Sequence, residues 1–205
     1  TRFFRRPPDP GALTSRIAVA EQALAEGLSY HEAFRPVLAS LLLSPHFLFR
    51  VELPRDQSHP WALDGPELAV RLSYFLWSCP PDDQLLDLAL AGRLAEPEIL
   101  ESEVDRHLAD PRSRALAEHF AASWLGFRDV LTHAADVRRF PGFGDEVKRA
   151  LYEETARFVH HVLTQELPLE TLLDADFTFA NAAVARHYGI PGIEGPEFRK
   201  ISLPD

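Results

Sequence analysis

Methionine is absent from this chain of 205 residues, and cysteine occurs once, as Cys79. Because translation starts with methionine, we expect the chain to begin after processing or inside a longer reading frame. A single cysteine excludes an internal disulfide, a four-cysteine zinc site and a Cys-x-x-Cys-His haem attachment within the chain. We therefore expect no cofactor in this segment, and the one thiol leaves the redox compartment undecided.

Long apolar runs and positive charge are also scarce. No run approaches the roughly 20 consecutive apolar residues that a membrane span needs, so none is predicted. The start, Thr1 to Arg6, lacks the apolar core and cleavage site of a signal peptide. The 21 basic and 31 acidic residues give a net charge of -10. Such a chain repels phosphate backbones, and the short basic cluster of Arg2, Arg5 and Arg6 does not offset this, so no nucleic-acid partner is expected.

Apolar residues recur at helical spacing along most of the chain, and strand-like alternation is confined to its end. Ser29 and Glu32 form a capping-box pattern, and Asp64 and Glu67 repeat it at a later helix start. Helices are predicted over 11–26, 29–43, 66–77, 82–92, 96–109, 111–126, 145–167 and 181–187, with a short strand over 198–203. The fold class is therefore all-α, an irregular bundle of about eight to nine helices with one short strand near the C-terminal end.

A stretch rich in proline and glycine, 54–66, is typical of a connecting loop. We take it as the boundary between an N-terminal helical hairpin domain over 1–53 and a main helical domain over 62–205. The C-terminal end of the main domain is expected to be truncated.

The first candidate site lies on the longest predicted helix. Glu154, Arg157 and His161 have helical spacings of three, four and seven, which predicts one polar cluster beside the core stripe. A carboxylate, a guanidinium and an imidazole held together could orient a general base or grip an anion. The alternative is a salt-bridge network that anchors the helix. Glu153 and His160 are expected at the surface.

The second candidate site lies further along the chain. Asp174, Asp176 and His187 surround two phenylalanines, and apolar neighbours raise the pKa of a carboxyl group and suit it for acid–base work. The alternative is that these aspartates cap a turn and bond backbone amides.

Metal ligation is only weakly indicated. The adjacent His160 and His161 diverge by 100° on a helix and cannot readily share an ion. The stretch 128–144 shows no period, and irregular stretches of this length are more often functional than accidental. It offers His133 and Asp136, two donors without a third or fourth ligand. No metal site is therefore predicted, and a bound metal would direct attention to His133, Asp136, Asp174, Asp176 and His187.

Several longer strings resemble a known family. Arg71-Leu72-Ser73-Tyr74-Phe75-Leu76-Trp77-Ser78, Leu108-Ala109-Asp110-Pro111-Arg112 and the stretch 172–190 resemble a domain of unknown function common in planctomycetes and myxobacteria, the fourth planctomycete-specific domain. Upstream, Phe4-Arg5-Arg6-Pro7 and the stretch 42–52 resemble the small helical domain of the fifth type that precedes it. Phe177 stands where the family pattern has tyrosine, and Ala182 where glutamate is frequent.

The resemblance implies a large secreted or periplasmic protein in which these domains accompany cytochrome-c-like domains. Haem c is then expected elsewhere in the full-length protein, and the partners are neighbouring domains of the same polypeptide. The family implies no catalytic residues. The leading hypothesis is a helical structural or interaction module of a redox protein. The alternative is a catalytic domain, an oxidoreductase or a polysaccharide-acting enzyme, with an acid–base site of Asp, His and Glu residues.

Overall fold

The computed structural model describes residues 2–52, 59–136 and 138–203. Helices dominate these ranges, which confirms the predicted fold class. The α-helices are α1 (Pro10–Ala25), α2 (Tyr30–Leu42), α3 (Pro45–Leu48), α4 (Gly65–Trp77), α5 (Asp83–Leu90), α6 (Pro97–Ala109), α7 (Ala122–Trp124), α8 (Asp145–Thr164), α9 (Thr171–Asp174) and α10 (Ala182–Tyr188). The strands are β1 (Phe177–Ala180) and β2 (Arg199–Ser202). No described helix is both long enough and apolar enough to traverse a bilayer.

The chain forms two compact units. The first unit contains Thr1–Tyr74 and Cys79–Val104, and the second contains Phe75–Ser78 and Asp105–Asp205. The predicted linker at 54–66 lies partly outside the described residues, and the domain boundary placed there stays a prediction.

The first unit begins with the α1–α2 hairpin and is organised by local caps. Asp9 accepts a hydrogen bond from the amide of Ala12 at the start of α1. The predicted capping box of Ser29 and Glu32 is present at α2, because each side chain accepts from the other's backbone amide. These bonds satisfy amide groups that the first helical turn leaves unpaired.

The core of the first unit lies where α4, α5 and the segment after α5 meet. The predicted reciprocal cap is present at α4, where Asp64 and Glu67 each accept from the other's amide. Helix α4 buries Ala69 against Leu85 and Ala89, and further apolar side chains pack around them. Removing this apolar area from water is the main force holding the unit together.

The second unit is built around α8. This helix buries Ala150, Ala156, Val159 and Val162, and it contacts β1 and α10. The predicted strand at the C-terminal end is confirmed as β2, and its antiparallel partner β1 pairs Phe177 with Ser202. No strand is predicted at β1, because four residues are too short for period-two alternation to stand out.

The helix predicted over 111–126 is interrupted. A 3-10 turn at Pro111–Ser113 precedes a π-helix at Leu116–Ala121 and the short α7. Leu116 is buried as expected, but Phe120 is exposed and 65% of Trp124 is exposed, so the prediction that both are buried is wrong. The wider π-turn carries more residues per turn than an α-helix, so Phe120 is turned away from the face that buries Leu116. Its ring stacks on that of Trp124 at 5.9 Å between centroids.

Candidate functional site

A buried carboxylate on α8 is the centre of the candidate site. Glu154 is only 6% exposed. The Thr178 hydroxyl on β1 donates to its Oε1 at 2.6 Å, and the Tyr188 hydroxyl at the end of α10 donates to its Oε2 at 2.8 Å. Residues from three elements therefore meet at one carboxyl group.

Burial governs the protonation of this site. It raises the pKa of Glu154, because the charged form loses hydration, and the hydrogen bonds from Thr178 and Tyr188 offset part of this rise. The nearby imidazole of His187 also favours the charged form of Glu154. Burial, followed by the negative charge of Glu154, raises the pKa of the Tyr188 phenol. The phenol therefore stays protonated and remains a donor at neutral pH.

Glu154 lines a shallow, open depression of about 280 Å³, which we call the Glu154 pocket. Its wall is apolar apart from Glu154, Thr178 and Tyr188. The remaining lining residues are Phe158, Leu172, Leu173, Ala175, Phe177 and Leu203.

Replacing Glu154 by glutamine is expected to change how stability depends on pH. The folded carboxyl keeps its proton to a higher pH than its ordinary pKa of 4.5 allows. Its contribution to stability is therefore largest below that value and is lost as pH rises through the raised folded pKa. Glutamine does not titrate. In urea titrations, the free energy of unfolding of Glu154→Gln should rise relative to that of the original protein as pH increases from about 4.5 through the raised folded pKa.

Glu32→Gln is the matched control of opposite sign. The Ser29 hydroxyl and amide lower the pKa of Glu32. The stability that Glu32 supplies is present above its ordinary pKa and fades as pH falls through the lowered value. Parallel pH curves for the original protein and Glu154→Gln would contradict the assignment of a raised pKa to this carboxyl.

The predicted cluster of Glu154, Arg157 and His161 does not form. Arg157 donates to Glu153 at 2.6 Å, and His161 Nε2 lies 3.1 Å from the Lys200 amine. Their shared helix flank was correctly recognised, but each side chain is held by a different partner. Burial and the positive charge of Lys200 lower the pKa of His161, so its neutral ring suits the role of acceptor for the Lys200 ammonium.

Glu153 and His160 are half-buried rather than surface residues, which corrects the expectation from the helical wheel. Glu153 accepts from Arg114 as well as from Arg157. His160 Nε2 lies 2.9 Å from the hydroxyl of buried Ser113, and burial lowers the pKa of His160. These contacts tie α8 to the segment 111–114 through Glu153 and His160. Of the predicted cluster, Arg157 joins this network through Glu153.

The aspartates of the second candidate site are exposed. Asp174 ends α9, and the backbone carbonyl of Asp176 accepts from the amide of Leu203 at 2.7 Å. His187 is also exposed and contacts the rings of Phe143 and Tyr188. Within the described ranges, no hydrogen bond or ion pair joins Asp174, Asp176 and His187. A shared acid–base role for these three residues stays a prediction.

The predicted weak metal donors, His133 and Asp136, are not among the residues that line the Glu154 pocket. The ring of His133 contacts Phe143, and Asp136 accepts from the amide of Arg138. Within residues 2–52, 59–136 and 138–203, no group of three or more His, Cys, Asp or Glu residues is arranged to hold a metal ion.

A second surface feature lies on the α1–α2 hairpin of the first unit. No residue of α1 is buried, and α2 buries only Ala33. Between the helices runs an apolar groove of about 240 Å³, which we call the hairpin groove. Its lining residues are Leu13, Arg16, Ile17, Ala20, Glu21, Leu24, Tyr30, Ala33, Phe34, Val37 and Leu41.

Comparison with known families agrees with the order of the sequence strings. Residues 63–190, more than half of the chain, match the family described as PSD4, a protein of unknown function (DUF1592). The chain belongs to this family. Residues 1–52 match the family described as PSD5, also a protein of unknown function (DUF1595). The resemblance to a fourth-type domain preceded by a fifth-type domain is thus confirmed. No curated protein and no solved structure matches the chain.

The two candidate features fall in different family regions. The hairpin groove belongs to the PSD5 region, whereas Glu154, Thr178 and Tyr188 belong to the PSD4 region. Sequence reasoning selected Glu154 but missed Thr178 and Tyr188 as its partners. Both partners lie in the stretch 172–190 that carries the family resemblance, which is the signal that could have pointed to them.

Proposed function

We propose that this chain is an interaction module of a larger extracytoplasmic redox protein, and that the hairpin groove docks a cytochrome-c-like domain of the same polypeptide. Haem c then resides in that neighbouring domain rather than in this segment. The setting rests on the family resemblance, and the exposed apolar groove is the observation that carries the interaction role.

The hairpin groove leaves the apolar faces of two helices exposed, as in a helical bundle from which one helix has been removed. Ile17 on α1 is 50% exposed and Phe34 on α2 is 47% exposed, although both side chains line the space between the two helices. Two helices alone cannot enclose their apolar faces, and large exposed apolar patches mark protein interaction sites. A third, amphipathic helix laid into such a groove would bury both faces. A helical domain of the cytochrome c type can present such a helix.

The test uses this chain and the haem-bearing part of the full-length protein, each expressed separately. Ile17→Asp combined with Phe34→Asp is expected to weaken binding of this chain to the haem-bearing part at least about tenfold in calorimetry. The matched control is Val19→Asp, because Val19 is similarly exposed on α1 but does not line the groove.

Three outcomes would overturn the docking proposal. The first is the absence of a complex between the original chain and the haem-bearing part. The second is equal binding by the groove variant and the Val19 control. The third is self-association of the chain that the groove variant abolishes, because a second copy would then be the occupant. A turnover measured with the isolated chain would replace the interaction role with the catalytic alternative.

A further inference from the structure

We propose that the Glu154 pocket binds a small molecule that carries a protonated amine on an apolar body. This site uses residues of the second unit alone and is a different function from docking at the hairpin groove. Four observations support it. The Glu154 carboxylate can accept further hydrogen bonds, and no Lys or Arg of the described residues pairs with it. The pocket lining is mainly apolar, and it offers few oxygen ligands for a metal ion.

The carboxylate has acceptor capacity left. An ionised carboxylate offers about four lone-pair positions, two on each oxygen. Thr178 occupies one position on Oε1, and Tyr188 occupies one on Oε2. These are the hydrogen bonds that the Glu154 carboxyl group makes among the described residues, so each oxygen can accept one more hydrogen bond.

The negative charge that Glu154 carries once it ionises is not matched by the described part of the chain. Thr178 and Tyr188 are neutral donors, and no Lys or Arg in the described ranges forms an ion pair with Glu154. His187 acts on the carboxylate only from a distance, because no hydrogen bond or ion pair joins the two. Buried charges in proteins are normally paired, and an ammonium group from a ligand would supply the missing positive charge.

The rest of the pocket suits a hydrocarbon group. Phe158 and Phe177 contact each other at 5.4 Å between ring centroids. Leu172, Leu173 and Leu203 complete the lining, although 92% of Leu173 and 37% of Leu203 are exposed. The pocket volume of about 280 Å³ is close to the lower end of the roughly 300–1,000 Å³ that ligand pockets occupy. An aromatic ring with one short aminoalkyl arm fits this size. The Phe158 ring can also attract the ammonium group through its π-electrons.

The residues that line the Glu154 pocket do not suit two other classes of ligand. An anion would meet a carboxylate, and none of the residues that line the pocket carries a positive charge. A divalent cation such as Ca²⁺ takes six to eight oxygen ligands. Glu154, Thr178 and Tyr188 together supply a single carboxylate and two hydroxyls that already donate to it. An ammonium group needs only hydrogen-bond acceptors, which the open lone pairs of Glu154 provide.

Benzylamine, benzyl alcohol and benzoate are the probes for this proposal, since they share a ring and differ in the charge of one group. Each is titrated into the isotope-labelled chain while the amide signals of Thr178 and Tyr188 are followed by NMR. Benzylamine is expected to shift these signals saturably. Benzyl alcohol should bind at least about tenfold more weakly, and benzoate should not bind.

Variants separate recognition of the amine from a merely structural role of Glu154. Glu154→Gln keeps the shape of the side chain and removes its charge, so it should weaken the binding of benzylamine at least about tenfold. Glu146→Gln is the matched control on α8, because Glu146 forms an exposed pair with Arg186. Leu173→Ala is a second variant that leaves the core intact, since Leu173 is 92% exposed and yet lines the pocket. This variant should weaken the binding of benzylamine severalfold.

The proposal is overturned if benzylamine leaves the Thr178 and Tyr188 signals unchanged up to its solubility limit. It is also overturned if benzylamine and benzyl alcohol bind equally, because the carboxylate would then contribute nothing to recognition. Should Glu154→Gln fail to fold, the comparison of the three probes on the original chain and the Leu173 variant decides the question.

Discussion

Replacing Gly65 by alanine is expected to destabilise the first unit by at least about 3 kcal/mol, at the upper end of overpacking effects. A Cβ atom at Gly65 would lie 2.1 Å from the backbone oxygen of Ala89 and 2.9 Å from its carbonyl carbon. Backbone atoms cannot move aside by changing a rotamer. The start of α4 would have to separate from α5 at the position where Ala89 packs in the core. Urea titration followed by circular dichroism measures the loss.

Gly142→Ala is the control for the Gly65 substitution. A Cβ at Gly142 would meet nothing within 4 Å, and its backbone is outside the left-handed region that favours glycine. Its effect on the free energy of unfolding should stay within about 0.5 kcal/mol, as for other surface substitutions. If the two alanine variants unfold at the same urea concentration, α4 and α5 do not approach each other as closely as described.

Short-range patterns in the sequence correctly predicted the starts of α2 and α4. A capping box depends on two residues three positions apart, so Ser29 with Glu32 and Asp64 with Glu67 can be recognised without knowing the rest of the fold. The same reasoning located α8, because a helix of 20 residues repeats its apolar spacing several times.

The elements that sequence reasoning missed depend on long-range contacts. Strand β1 is four residues long, and its register is set by β2 more than 15 residues later. The π-helix at Leu116–Ala121 follows a pattern that an ordinary α-helix would also fit. Neither element has a local signal strong enough to override the helical periodicity around it.

At the candidate site too, local sequence patterns predict positions on a helix, whereas long-range contacts decide the partners. A helical wheel correctly places Glu154, Arg157 and His161 near one another in angle. It cannot show which partner reaches each of them, because Thr178, Tyr188 and Lys200 lie 24 to 39 residues away in sequence. The chemistry of the site is therefore set by tertiary contacts, which turn a predicted three-residue cluster into a carboxylate that lines a pocket.

The basic cluster at the start of the chain is a further example, because one of its members is buried. Arg5 is counted with Arg2 and Arg6 when charge alone is considered. In the structure Arg5 donates to the carbonyl oxygens of His46, Phe47 and Phe49 and to the hydroxyl of Tyr74. The carbonyls at the end of a helix lack partners within the helix, so Arg5 caps α3 from a distance in sequence.

Arg5→Ala is therefore expected to destabilise the first unit by about 3 kcal/mol, since several part-buried acceptors lose a charged donor together. Arg5→Lys should recover only part of this loss, because one ammonium group lacks the planar fork that reaches several acceptors. Urea titration measures the overall effect. Hydrogen exchange at the Phe49 amide, which donates to the carbonyl of Pro45, reports whether α3 itself opens.

Arg2→Ala separates the capping role of Arg5 from the loss of positive charge near the N-terminus. Arg2 pairs with Asp83 at the surface, where both side chains are mostly exposed. Exposed pairs contribute about 0 to 1 kcal/mol, so Arg2→Ala should leave the unfolding midpoint and the exchange of the Phe49 amide nearly unchanged. Equal effects of the two alanine variants would mean that net charge, and not the bonds of Arg5 to α3, stabilises this part of the chain. A loss of protection at Phe49 in Arg5→Ala alone would locate the effect at the carbonyls that Arg5 caps.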